Sequence, residues 1–291
     1  MVQKQFMQKM ACYLVLVCIL AALIVGLEDT MFLLSRYHAL TSDQIYTDEF
    51  RGQIMAEDDY QKMCELSKSL ELPFSDVLSV FHCASGFRME DDIIIDKEHY
   101  EMYSKELSDM KEGVFKEYQN WYERLYEEAE YFPVALSSSH KQYTVSFENS
   151  WMFERTYGGQ RGHEGTDIMA EVNERGLYPI VSMTDGVVEK IGWLPKGGYR
   201  IGIRSAGGIY YYYAHLERYA KDFKEGETVH AGDLLGFMGD SGYSEIEGTV
   251  GNFPVHLHLG IYIQTDEVEE LSINPYWVLR KMEQDTLQYD Y

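Results

Sequence analysis

Nine histidines occur in the 291-residue chain, and four of them, with one aspartate, fall in three short clusters of its C-terminal half. The first is Arg161-Gly162-His163-Glu164-Gly165-Thr166-Asp167, an H-x-x-x-D pattern; the second is Tyr213-Ala214-His215-Leu216; the third is His256-Leu257-His258. Imidazole nitrogens and a carboxylate oxygen form a ligand set that suits zinc, and a catalytic zinc site keeps a fourth position open for water. On a strand, side chains alternate, so His256 and His258 point to the same face and can converge on one site without a bend. His163 and Asp167 are four apart, a helical spacing, but Gly165 between them and the strand-like Thr166-Asp167-Ile168-Met169 favour a turn entering a strand. Each cluster alone is a weak signal. All three in one stretch, in this order, are hard to explain as packing.

The segment that must position these residues changes texture from the one before it. From residue 143 to about 263 the chain is rich in Gly, β-branched residues and aromatics, with strand-like runs at 143–147, 179–183, 187–191, 199–204, 209–213 and 256–263. This pattern predicts a mainly antiparallel β domain, a sandwich or barrel, closed by a helix at 274–282. Residues 36–135 read instead as helical. Tyr60, Met63, Cys64, Leu66 and Leu70 form one apolar face; Val77, Leu78 and Phe81 form a second, between Pro73 and Gly86. A third helix is expected at about 114–131, with Val114, Tyr118, Trp121, Tyr122 and Leu125 on its inner stripe and an acidic, solvated outer face. Pro133 is expected to end it, and Ser137-Ser138-Ser139 to serve as a linker. The expected organisation is thus residues 1–35 as tail and anchor, 36–135 as a helical region, and 140–291 as the domain that carries the chemistry.

On these motifs, residues 140–280 resemble the lysostaphin-type, LytM-like zinc endopeptidases of peptidoglycan, which carry a duplicated hybrid motif domain. The stretches Thr184-Asp185-Gly186-Val187-Val188, Val229-His230-Ala231-Gly232-Asp233-Leu234-Leu235-Gly236 and Gly239-Asp240-Ser241-Gly242 share in the resemblance. It implies that His163, Asp167 and His258 bind Zn2+, and that His215 and His256 orient or deprotonate the attacking water. The implied substrate is the peptide part of peptidoglycan, as cross-links or stem peptides. Asn149 and Tyr157, upstream of the first ligand, are candidates to line the site, or to be ordinary loop residues. One departure is the connection 243–255, longer and more acidic than the family's short link, which could reshape or cover the groove. A non-enzymatic scaffold, or an activator of another hydrolase, is the alternative function, and it would be expected to have lost ligands. Residues 36–135 carry no such resemblance and are the candidate region for a protein partner.

Charge and the N-terminus bound the location. A net charge of −23 argues against a nucleic-acid partner, because phosphates need clustered Lys and Arg. Lys4 and Lys9 precede an uncharged apolar run, 10–27, followed by Glu28 and Asp29. Eighteen residues of helix span about 27 Å, close to the hydrocarbon thickness of a bilayer. The flanking charges predict a single-pass anchor with the N-terminus inside and the β domain outside the cytoplasmic membrane. A cleaved signal peptide would need a small-x-small site, and Leu27-Glu28-Asp29 is a poor one. Cys12 and Cys18 lie inside the run; Cys64 and Cys83 could pair in an oxidising compartment or remain free thiols.

Overall fold

The computed structural model describes residues 2–89, 93–157 and 159–291; in the first helix the side chains of residues 2–6, 8–9, 11–12, 25, 28–30, 32–36 and 38 lie outside that description. The apolar run falls in α1 (Val2–Ala39), whose side chains from Tyr13 to Ile24 are exposed. Among the described residues no helix is long and apolar enough to cross a membrane. The expected spanning anchor is therefore not supported here, and Lys4, Lys9, Glu28 and Asp29, which set its orientation, lie among the side chains outside the description. The end of α1 is different: Tyr37 and Leu40 are buried in the helical core.

Four helices follow. Thr47 caps α2 (Asp48–Gly52) by accepting from Phe50 N at 3.3 Å. The first turn of α3 (Glu57–Leu70) holds Glu57, Asp58 and Asp59, which complement the helix dipole. The next helix, α4 (Phe74–Ser85), is buried almost all round and ends at Gly86, where φ of +67° suits glycine. Asp96 caps α5 (Lys97–Glu127), which bends at Lys111 (φ −142°). This last helix starts well before the expected residue 114, because Tyr103 and Leu107 extend its buried stripe by one i, i+4 pair. It also stops before the expected residue 131. The following segment leaves the helix to bond the β domain: Glu130 N donates to Met183 O (2.7 Å), Phe132 N to Asp285 O (3.2 Å) and Ala135 N to Pro179 O (3.0 Å). The expected serine linker is likewise structured, since β1 (Leu136–Ser137) pairs in parallel with a C-terminal strand, Gln288–Tyr289. Cys64 and Cys83 are free thiols.

The β part follows as β2 (Val145–Phe147), β3 (Glu154–Arg155), β4 (Arg161–Gly162), β5 (Thr166–Ala170), β6 (Pro179–Val181), β7 (Gly186–Leu194), β8 (Gly198–Ser205), β9 (Tyr210–Tyr219), β10 (Thr228–Val229), β11 (Leu234–Met238), β12 (His256–Ile263) and β13 (Leu271–Ile273); α6 (Tyr276–Met282) and β14 (Gln288–Tyr289) close the chain. A ten-stranded antiparallel sheet runs in the order β10-β7-β8-β9-β12-β5-β2, with β13 on β12 and β11 joining β6 to the far end of β9. Alternation decides its faces. Ile168, Ile201, Ile203, Tyr211, Tyr213, Leu257, Leu259 and Ile261 are buried on one side, while Asp167, Tyr210, Tyr212, His258 and Tyr262 line a cavity on the other.

Helical and β parts share one continuous core. Their polar seam is built on Arg51 of α2, which donates to Ser272 O (3.1 Å), Ser272 Oγ (2.6 Å) and Glu164 Oε1 (2.8 Å). Asn274 extends it, its N donating to Arg51 O (2.8 Å) and its Nδ2 to Gly52 O (3.0 Å). Arg51→Ala should lower the stability of the whole chain by on the order of 1–2 kcal/mol, the part-exposed Glu164 discounting the loss; denaturant titration measures it.

Burial pushes the His82 imidazole, whose Nδ1 lies 2.7 Å from Tyr122 Oη, down to about 3. His82 is then neutral in the fold but takes up a proton below about 6.5 in the unfolded chain. Its contribution is therefore fully present above pH 6.5 and is lost as pH falls from there towards 3. In His82→Gln the unfolding free energy should fall less steeply across that window, by about one proton or about 1.4 kcal/mol per pH unit; denaturant titrations at a series of pH values test the slope.

Candidate active site

Strand register brings the first and third clusters together. In the antiparallel pair β5–β12, Asp167 stands directly opposite His258, so their side chains leave the same face as neighbours. His163 enters from the turn before β5, where Gly165 is required: a Cβ there would lie 2.5 Å from His258 Cε1 and 2.7 Å from Leu259 O. The result is a compact triangle. His163 Nε2 is 3.0 Å from Asp167 Oδ1 and 3.0 Å from His258 Nδ1, and His258 Nδ1 is 2.9 Å from Asp167 Oδ1.

Hydrogen bonds fix which atoms face inward. His163 Nδ1 lies 3.2 Å from Ser150 O and 3.0 Å from Ser150 Oγ. A carbonyl only accepts, so Nδ1 carries the proton and Nε2 presents a lone pair. Asp167 is held by its other oxygen, since Arg155 Nη2 donates to Oδ2 at 2.6 Å, leaving Oδ1 in the triangle. With His258 Nδ1 unprotonated, as a metal ligand must be, three acceptor atoms stand this close and repel one another unless a metal ion lies among them. Their chemistry and spacing fit zinc: donors at about 2.0–2.1 Å from a tetrahedral ion stand about 3.3 Å apart, a few tenths of an ångström wider than seen here. Burial by itself would raise the Asp167 carboxyl, but in acid, where the His163, His258 and His256 rings take up protons, their hydrogen bonds and charges outweigh it and hold the carboxyl well below the ordinary carboxylate range.

The second cluster reaches the same cavity through a bulge. Between β8 and β9, Tyr199 pairs with Leu216 and Ile201 with Tyr213, so β9 carries one extra residue. His215 lies in that extra turn with φ of +64°, unusual for a residue with a Cβ, and its N donates to Gly197 O at 2.8 Å. The bulge returns His215 to the cavity side while Tyr213 and Leu216 both stay in the core. His215 Nδ1–H donates to Ser241 O (2.8 Å) and His256 Nδ1–H to Pro254 O (2.7 Å), so both rings are left with an Nε2 lone pair. The two ring centroids are 4.8 Å apart, and His256 Nε2 is 3.8 Å from Asp167 Oδ1. Burial pushes His215, His256 and His258 below the ordinary imidazole value, which keeps them neutral at neutral pH.

The connection 243–255 supplies an aromatic wall. Phe253 packs on His215 (4.6 Å between centroids) and His256 (5.1 Å), Tyr243 packs on Phe253 (4.8 Å), and Tyr157 stacks on Tyr243 (4.4 Å, 4°). Its acidic residues Glu245 and Glu247 point to solvent. The loop therefore shapes the site with aromatic rings, and its charge stays outside. Two cavities, of about 420 and 790 Å³, meet at Arg155, Asp167, Tyr243 and His256 and form one groove through the cluster.

All five residues singled out in the three clusters line this groove. Tyr157 lines the larger arm, whereas Asn149 does not line either arm; its Oδ1 accepts from Asn274 Nδ2 at 3.1 Å in the seam with α2. Arg155 and Ser150 were not legible in advance: each is an ordinary polar residue in a loop-rich stretch, and only the fold sets them beside Asp167 and His163. Ser241 lies in a Gly-rich stretch that shares in the family resemblance, and that stretch does not reveal the partner of its carbonyl.

Residues 161–270 match the model of Peptidase family M23. The chain is 42% identical over 160 residues to the L-Ala–D-Glu endopeptidase of Bacillus subtilis, covering 55% of this chain and 44% of that relative, and 28% identical over 118 residues to lysostaphin of Staphylococcus simulans, covering 38% and 23%. It thus spans less than half the length of these curated relatives. A crystal structure of a provisionally assigned glycyl-glycine endopeptidase LytM from Ruminococcus gnavus ATCC 29149 is 42% identical, with a TM-score of 0.73 over 85% of this chain and 95% of that one. Similarity at that level over nearly the whole of a solved relative, together with the matched family model, means that this chain belongs to the LytM-like peptidases of Peptidase family M23.

Proposed function

We propose that the chain is a zinc-dependent endopeptidase that hydrolyses peptide bonds of bacterial peptidoglycan, working from the outer side of the cytoplasmic membrane. The observation that carries this reading is the convergence of His163 Nε2, Asp167 Oδ1 and His258 Nδ1, within 3.0 Å of one another, beside two imidazoles that turn free Nε2 atoms into the same groove. Zinc bound by those three atoms would supply a Lewis acid, which acidifies water and polarises a carbonyl. The remaining work falls to the chain's own residues. His215 and His256, neutral and anchored at Nδ1, accept at Nε2 the proton of the attacking water and return it to the departing amine. Phe253 covers both rings and limits access of bulk water to them. Arg155 holds Asp167 by its second oxygen and fixes its orientation. A scaffold that kept only the fold would not need this arrangement, and all five polar side chains are in place. Relatives named for L-Ala–D-Glu and for glycyl-glycine bonds support peptidoglycan peptides as the substrate.

We also propose that α1 anchors the chain in the membrane, on the strength of its apolar run and flanking charges, and that the helical region 36–135 is where a protein partner would dock.

The zinc-loaded protein should release muropeptides from purified peptidoglycan, with the cut bond read by mass spectrometry; a stoichiometric zinc site with no release would favour the scaffold instead. His163→Ala and His258→Ala should each lose both bound zinc, measured by elemental analysis, and activity. His215→Ala and His256→Ala should keep zinc but lower turnover by about 10²–10⁴-fold. Loss of zinc in the second pair with retention in the first would reverse the assignment of ligands and proton carriers.

Membrane anchoring has its own test. The full chain should stay with the membrane fraction after an alkaline wash, and residues 36–291 should be released; release of both would remove the anchor.

A further inference from the structure

The groove is electrically lopsided. The protein carries a net charge of −23, so an anionic ligand is repelled at long range unless a local patch reverses the sign. Such a reversal occurs in the smaller arm, which is lined by Arg155, Arg161, Lys190, Lys196 and Arg200 against Glu164, Asp167 and Glu270. Two of the cations are already committed, Arg155 to Asp167 (2.6 Å) and Lys190 to Glu270 (2.8 Å). Among the described residues no carboxylate pairs with Arg161, Lys196 or Arg200. The larger arm has the opposite character, with Glu148 and Glu154 on its walls and Arg155 as its one lining cation.

Arg200 is the central one of the three. It sits at the register break between β8 and β9, opposite the bulge that carries His215, and lines the cavity with it. Its Nη1 is buried without a hydrogen-bond partner. That atom has lost hydration without compensation, and among the described residues no carboxylate offsets the charge that Arg200 brings to the cavity wall. The floor beside it is tyrosine laid over glycine. A Cβ at Gly202 would fall 1.9 Å from the Tyr210 hydroxyl, and one at Gly197 2.0 Å from that of Tyr212; Tyr262 packs 6.0 Å from Tyr210, and Tyr212 lies 6.0 Å from His258. The arm thus joins unpaired cations and the triangle in one cavity, with tilted and edge-to-face tyrosine rings among its lining.

We infer that Arg200, assisted by Lys196 and Arg161, forms a carboxylate-binding subsite, and that the substrate peptide carries a free carboxylate beside the scissile bond on this side of the groove. The inference deepens the peptidase reading and rests on it for the peptide nature of the ligand. Arg200 supplies a planar donor pair matched to a carboxylate, with Lys196 on the exposed rim as a point charge.

The test uses the full zinc-loaded chain and two synthetic tetrapeptides containing an L-Ala–D-Glu bond, one with the free glutamate carboxylate and one with that group as a carboxamide. Equilibrium binding and cleavage are measured for both. The wild type should bind and cleave the carboxylate peptide at least about tenfold better, the range expected of a charge-assisted pair. Arg200→Gln should remove that preference by weakening the carboxylate peptide alone, with zinc content unchanged, and Arg200→Lys should restore part of it. Lys196→Gln, on the exposed rim, should shift the preference in the same direction by a smaller factor, which covers a failure of the Arg200 variant to fold. Equal binding of the two peptides by the wild type would overturn the subsite, as would equal loss of both in Arg200→Gln. Preferential binding without cleavage of either peptide would uphold the subsite and remove this bond as the one cut, while the peptidase reading falls only if muropeptide release from purified peptidoglycan also fails.

Discussion

His163 Nε2, Asp167 Oδ1 and His258 Nδ1 are held within 3.0 Å of one another, an arrangement that needs a proton or a cation among the three atoms, and the β domain is arranged around that need. Strand register presents two of them: Asp167 and His258 cannot separate without shearing β5 from β12 in the middle of the sheet. The third comes from a turn whose glycine lets the backbone pass against the His258 ring. Backbone and hydroxyl groups of Ser150, and the guanidinium of Arg155, occupy the outward atoms of His163 and Asp167, so that the inward atoms have no other partner to turn to. Supporting groups of this kind set tautomer and orientation at metal sites as strongly as the ligands themselves.

The same logic governs the two remaining histidines, with different means. Their Nδ1 protons are claimed by the carbonyls of Ser241, just before the long connection 243–255, and of Pro254, near its end. That connection is stitched by Asp240, which accepts from Arg175 and from Gly251 N, and by the Gly242–Thr249 backbone bond. The loop therefore does two things at once: it orients the imidazoles through its ends and shields them through Phe253 and Tyr243.

The helical region is tied to this machinery through a short polar seam. Arg51 touches Glu164, the neighbour of His163, and Asn274 links Gly52 to Asn149, the neighbour of Ser150. Both strands of the first cluster's support thus rest on α2. A region that carries no catalytic group nonetheless contributes to the rigidity of the turn that delivers the first ligand.

The sequence by itself determined the inventory. Histidine and aspartate types at fixed spacings named the reactive side chains; period-2 patterning placed His256 and His258 on one face; apolar stripes marked the helices at Glu57–Leu70 and Phe74–Ser85, because these signals are local and rest on side-chain alternation. What only the tertiary structure decided is everything that depends on partners distant in the chain. The helix expected to run to residue 131 stops at Glu127 because β-domain carbonyls compete for its amides. His215, on a strand whose alternation would send it into the core, reaches the groove through a one-residue bulge set by its pairing with β8. Arg155 and Ser150 have no local signature, since their partners, the Asp167 carboxylate and the His163 imidazole, lie more than ten residues away in the chain. Hydrogen-bond geometry and electrostatics act through space, and sequence spacing records them only where the chain happens to run along the same strand.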